Sequence, residues 1–153
     1  MAKATPGYVK NIIRRSFREI IDPSPTKEDK ERIWKFFNYK CVYCNKPLNK
    51  SKKEGHIEHL WPTSLSGSNQ ISNLVLSCAD CNEEKLDKSW HEFLLKKNQD
   101  LDVMHERLAK IHEWQKLNEG LSLSKDKINK IEELADSAAY NYDMKFKEAK
   151  KLR

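Results

Sequence analysis

The stretch Gly55-His56-Ile57-Glu58-His59-Leu60-Trp61-Pro62 places two histidines and a glutamate within four positions and closes on a Trp-Pro pair. Turn-forming residues bound it, so we read a short strand over His56–Leu60 and an irregular loop through Pro62, Gly67 and Asn69. A second strand follows over Leu74–Ser77. Immediately outside this element stand the four cysteines of the chain, as the knuckles CVYC (Cys41, Cys44) and CADC (Cys78, Cys81). Doubled C-x-x-C knuckles in a chain without a secretory leader point to one tetrahedral thiolate zinc rather than to disulfides. The segment between the knuckles is longer than in a common zinc ribbon, so it must carry structure of its own.

Helical periodicity surrounds this centre. Val9, Ile12, Ile13, Phe17, Ile20 and Ile21 form an apolar stripe that Asp22-Pro23-Ser24-Pro25 ends. Thr26 followed by Asp29 reads as a capping box that opens a second helix through Ile33, Phe36 and Phe37. Beyond Cys81, Leu86, Trp90, Phe93 and Leu94 recur at helical spacing and predict one helix beginning near Asn82. A further helix uses Leu101, Met104, Leu108, Ile111 and Gln115. The last starts after Ser124 and uses Ile128, Ile131, Leu134, Ala138, Tyr142 and Phe146, running into the terminal KEAKKLR. The expected fold is therefore mainly α with a small two-stranded β element. Its segments are 1–38 (N-terminal helical), 39–97 (zinc-stapled core) and 98–153 (C-terminal helical), packed as one compact domain. Trp34, Trp90 and Trp114 read as core.

Net charge is +6 and charged residues make up 34% of the chain, which favours a polyanionic partner over an acidic small molecule. No apolar run is long enough to span a bilayer and MAKATPGYVK lacks the apolar core of a signal peptide, so the expected location is cytoplasmic, with no membrane partner.

Taken together, Glu58-His59-Leu60-Trp61-Pro62, Ser72-Asn73-Leu74 and Cys78-Ala79-Asp80-Cys81-Asn82-Glu83-Glu84-Lys85 resemble the HNH endonucleases in their four-cysteine zinc variant, a ββα-metal fold. The resemblance covers roughly residues 39 to 95. It implies an enzyme that hydrolyses DNA phosphodiester bonds, with His59 as general base and a catalytic Mg²⁺ or Mn²⁺ held by Glu58 and Asn82. Asn73 would brace the loop that fixes His59, and Cys41, Cys44, Cys78 and Cys81 would hold a structural zinc. Where the family often has Asp and His, this chain has Glu58 and Asn82. The chemistry needs these residue types: hard oxygen donors suit the ion, and an imidazole titrating near neutrality suits the attacking water.

Other roles are weighed beside these. His56 shares the strand period of Glu58 and is a candidate further ligand, against the simpler reading of an exposed histidine. Lys85 and Lys88 are candidate phosphate contacts, against a solvated lysine face. His91, His105 and His112 have no ligand partners in sequence. His56-Ile57-Glu58 with Cys78-Ala79-Asp80-Cys81 also spells the H-x-E and C-x-x-C of zinc-dependent nucleobase deaminases, although Ser77 stands where that pattern has proline. A zinc-stabilised nucleic-acid binding module without catalysis is the third reading. Double-stranded DNA is the favoured substrate, and nothing in the sequence decides between monomer and dimer. One constellation cuts one strand per encounter, so an isolated chain is expected to nick before it linearises.

Overall fold

The computed structural model describes residues 5–65, 67–98, 100–120 and 124–152, with only the backbone of Lys125. Residues 1–4 of MAKATPGYVK and Arg153 of KEAKKLR lie outside the described residues. Among the described residues, six α-helices and two strands follow in order: α1 (Pro6–Ile21), α2 (Lys27–Phe36), β1 (Gly55–His59), β2 (Leu74–Cys78), α3 (Ala79–Lys85), α4 (Trp90–Lys97), α5 (Leu101–Leu117) and α6 (Lys125–Lys150). Thus the fold is mainly helical with one small sheet, as expected. None of the described helices is long and apolar enough to cross a membrane.

The chain divides into two units, residues 25–120 and residues 1–24 with 121–153. Residues 25–38 and 98–120 group with the central residues. In the central unit, α2 starts at the capping box read from Thr26 and Asp29 and buries Ile33 and Trp34. β1 and β2 pair antiparallel, with Glu58 opposite Val75 and His59 opposite Leu74. Every residue of β2 is buried, which explains its continuous Leu-Val-Leu run in place of alternation. Gly55 opens β1 because no larger residue fits: a Cβ there would lie 2.5 Å from the Trp34 ring. Trp114 on α5 buries its ring and donates its indole N–H to the carbonyls of Leu74 (2.7 Å) and Ile71 (3.0 Å), so α5 covers the start of β2. Trp34, Trp90 and Trp114 are core, as the sequence indicates. Each such side chain contributes roughly 1.5–3 kcal/mol of apolar burial.

The helix predicted from Asn82 is two helices. Cys78 ends β2 and caps α3, its sulfur accepting from the Cys81 N–H, so α3 begins at Ala79 and Asn82 lies inside it. Leu86 then takes a left-handed conformation (φ 51°) that stops α3, and Ser89 with Glu92 forms a capping box that restarts the chain as α4. Periodicity runs through the break because Trp90, Phe93 and Leu94 face the same core, whereas Leu86 turns out to solvent.

In the other unit, α1 and α6 pair. Val9, Ile13, Phe17 and Ile21 are half-buried, while Ile12 and Ile20 are exposed. On α6 the buried positions are Ala135 and Ala139, and Leu134, expected on the apolar face, is exposed. Small side chains let the helix backbones come close, so alanines occupy the seam. Ion pairs Lys10–Asp143 and Arg14–Asp136 link the two helices.

Candidate active site and metal centre

The two knuckles meet at the end of the sheet. Cys41 follows a bridge between Lys40 and Pro47, its N–H is held by the Lys46 carbonyl, and the Val42 N–H donates to Leu76 of β2. Cys78 and Cys81 come from the β2–α3 junction. One sulfur from each of Cys41, Cys44, Cys78 and Cys81 falls within 4.8 Å of the others. The Cys44–Cys78 sulfur separation is 3.8 Å. That is the edge of about 3.8 Å expected for a tetrahedron with Zn–S bonds near 2.3 Å. A hydrogen bond from the Cys81 thiol pulls Cys41 down to about 4, and the same bond pushes Cys81 up. Burial pushes Cys44 up to about 11. The thiols therefore cannot all ionise by themselves, and a soft divalent cation is what would hold four thiolates together. His56 is exposed and is not part of this group. The deaminase pattern, which needs His56 as the third zinc ligand, does not match it.

Next to the four cysteines, β1 and α3 build a buried polar cluster. Glu58 is 7% exposed. Its Oε1 accepts from Lys85 Nζ at 2.7 Å and its Oε2 from the Tyr43 hydroxyl at 2.9 Å. Lys85, expected as a phosphate contact, is fully buried: its ammonium also donates to the His59 carbonyl at 2.8 Å. Its position on α3, seven residues after the cap, turns it inward instead of toward a phosphate. Burial raises the Glu58 carboxyl above its ordinary value, opposed by Lys85 and Tyr43. Burial also pushes the Tyr43 phenol well up. Lys88 is half-exposed, its Nζ donating to the Glu84 carbonyl.

His59 closes β1 and is half-exposed. Its Nε2 lies 2.9 Å from Asn69 Oδ1. With an amide oxygen as acceptor, Nε2 is the donor of this bond. Asn73 is buried and ties the intervening loop down: its Oδ1 accepts from the Trp61 N–H (2.8 Å), and its Nδ2 donates to the carbonyls of Trp61 (3.0 Å) and Ser68 (2.8 Å). Asn82 stands half-buried in α3. His91, His105 and His112 are exposed on α4 and α5.

The family enters at this point. Residues 41–97 match the HNH endonuclease family model. The match includes both knuckles, β1, the Asn73 loop, β2, α3 and α4. A Bacillus subtilis (strain 168) protein named "SPbeta prophage-derived putative HNH endonuclease YoqL" is 33% identical over 88 residues, covering 52% of this chain. The chain spans 36% of that relative's length.

Three participants were not legible as such. Tyr43 has no role in the sequence reading beyond its place in the CVYC knuckle, Asn69 is only a loop residue, and Lys85 is a candidate phosphate contact or a solvated lysine. The signal available for Lys85 was its place one turn beyond Asn82 on a helix that must pack on β1.

Proposed function

We propose that this HNH segment hydrolyses phosphodiester bonds of DNA, double-stranded DNA in the first place, around a structural zinc held by Cys41, Cys44, Cys78 and Cys81. The observation that carries the reading is the joint placement of His59 at the end of β1, bonded to Asn69, with the Asn73-clamped loop closing over that strand end. In this reading His59 is the general base. Asn69 holds Nε2–H, so Nδ1 is the atom that takes a proton from the attacking water. Glu58 and Asn82 supply oxygen donors of the kind that Mg²⁺ or Mn²⁺ prefers, and a bound divalent ion would neutralise charge on the phosphate and the leaving oxygen.

A cation at Glu58 would have to compete with the Lys85 ammonium and the Tyr43 hydroxyl that the carboxyl already binds, using the second lone pair that each oxygen keeps. Lys85 anchors the carboxylate and the His59 carbonyl together, which keeps the candidate ligand and the candidate base in fixed relation. Lys88 is the remaining candidate for holding a flanking phosphate.

Incubation with supercoiled plasmid, with and without Mg²⁺ or Mn²⁺, tests the reading. Ion-dependent nicking is expected. His59→Ala should lower cleavage by about two to four orders of magnitude while zinc content and DNA affinity stay near the parent values. DNA binding without ion-dependent cutting would instead establish a non-catalytic binding module.

A further inference from the structure

Of the four tryptophans, Trp34, Trp90 and Trp114 are buried, and Trp61 is 44% exposed. Its position is the unusual part. Trp61 lies two residues beyond His59, so their Cα atoms are at most about 7 Å apart, within the span of one or two nucleotides. Its backbone is fixed on every side. Asn73 holds both its N–H and its carbonyl, and Pro62 restricts it to extended conformations. Gly67 closes against it so tightly that a Cβ there would fall 1.8 Å from the Trp61 carbonyl oxygen. The ring itself makes no ring contact and no hydrogen bond among the described residues. A rigid backbone thus presents a large aromatic face to solvent beside the candidate base, in a chain of net charge +6. Leu65, in the same loop, is also exposed.

From this juxtaposition we infer that Trp61 is a stacking platform for a nucleobase of the strand being cut, an inference that rests on the proposed nuclease reading for the identity of the ligand. Stacking on an indole requires a base face free of its neighbour. The ligand is therefore a nucleic acid with an unstacked base beside the scissile phosphate, as in a single strand or an opened duplex. A base inside an intact duplex offers no such face. Asn73 and Gly67 act here as positioning residues, since they hold the platform without touching the ligand.

The test is a binding titration, without added divalent ion, of a single-stranded DNA of about 20 nucleotides and of its duplex, the length chosen to exceed one site. The wild type, Trp61→Ala and Trp61→Phe are compared. Trp61→Ala should weaken single-strand binding roughly 5- to 100-fold and duplex binding much less, and Trp61→Phe should retain most of the affinity. Zinc content should be unchanged in both, because the clamp bonds use only the backbone of residue 61. Single-strand affinity unaffected by Trp61→Ala, or lost equally on both DNAs, overturns the stacking role and leaves the ring to a protein partner or to solvent. Plasmid cleavage by the wild type, run in parallel, reports on the nuclease reading alone. Cleavage with unchanged Trp61→Ala binding keeps the enzyme and removes the platform; the expected binding loss without cleavage keeps the platform and removes the enzyme.

Discussion

The two units of this chain are held by different means. The central one surrounds a fully buried strand with Trp34, Tyr43, Trp90, Phe93 and Trp114 and carries four converging cysteines. The α1–α6 unit buries two alanines and Asp22 among its described residues, and α1 has no fully buried residue at all. The difference teaches where precision is required. Around Glu58 and His59, positions are fixed by large side chains, a cluster of four cysteines placed to hold a metal and a buried ion pair. Along α1 and α6, half-buried aliphatic stripes and solvent-facing ion pairs suffice to keep two helices together.

The largest effect should come from removing the staple that only the central unit possesses. Cys41→Ser combined with Cys44→Ser is expected to abolish zinc binding and unfold residues 25–120. The apparent loss is on the order of 10 kcal/mol, as for other small zinc modules. Metal analysis together with near-ultraviolet circular dichroism would show it. If the helicity of α1 and α6 vanishes in step, the contrast drawn between the units is broken and they fold cooperatively.

A smaller but sharper effect is expected from Lys85→Met, which leaves the Glu58 carboxylate buried without its ammonium. Breaking one side of a buried pair costs about 3–5 kcal/mol at neutral pH. The dependence on pH follows from the direction of the Glu58 shift, which burial already drives upward with Lys85 present. With its folded value above the unfolded one, near 4.3, Glu58 keeps a proton in the folded state that the unfolded chain has released. Stability of the variant should accordingly fall as pH rises from about 4 through the folded value, then level off. Urea unfolding of wild type and variant across that range measures the difference. A cost independent of pH would show that Lys85 contributes packing alone.

Arg14→Ala, in the α1–α6 unit, should matter least. The Arg14–Asp136 pair is half or more exposed at both ends, and such pairs contribute about 0–1 kcal/mol. A thermal shift beyond that range would mean the helix pair depends on its charges more than its aliphatic stripe.

What could be read beforehand followed the local signals. The capping box at Thr26, the strand on each side of the Pro62 loop and the knuckles that close the sheet each carry their instruction in a few adjacent residues, and the structure contains all of them. The side chain of Asn73 makes three hydrogen bonds within the loop that joins the strands. The break at Leu86 was hidden because the apolar residues on both sides of it serve one core. Lys85 was hidden for another reason: a lysine's ordinary place is solvent, and only a carboxylate arriving from β1, 27 positions away, makes burial acceptable. Asn69 depends on the same kind of distant encounter, with His59 across the loop. Seams built on alanine, such as Ala135 and Ala139, give no hydrophobic peak, so the larger Leu134 attracted the assignment that its neighbours hold.

The helix pair also imposes a timetable on the newly made chain. α1 ends at Ile21 and α6 begins at Lys125, so about a hundred residues must be translated before the partner of α1 exists. At roughly 5–20 residues per second that is a wait of about 5–20 s. Throughout it Val9, Ile13, Phe17 and Ile21 stand as an amphipathic stripe without the helix they later cover. Residues 25–120, the whole central unit with its four cysteines, are synthesised during this interval. The residues of the candidate active site are therefore made before α1 and α6 can pair.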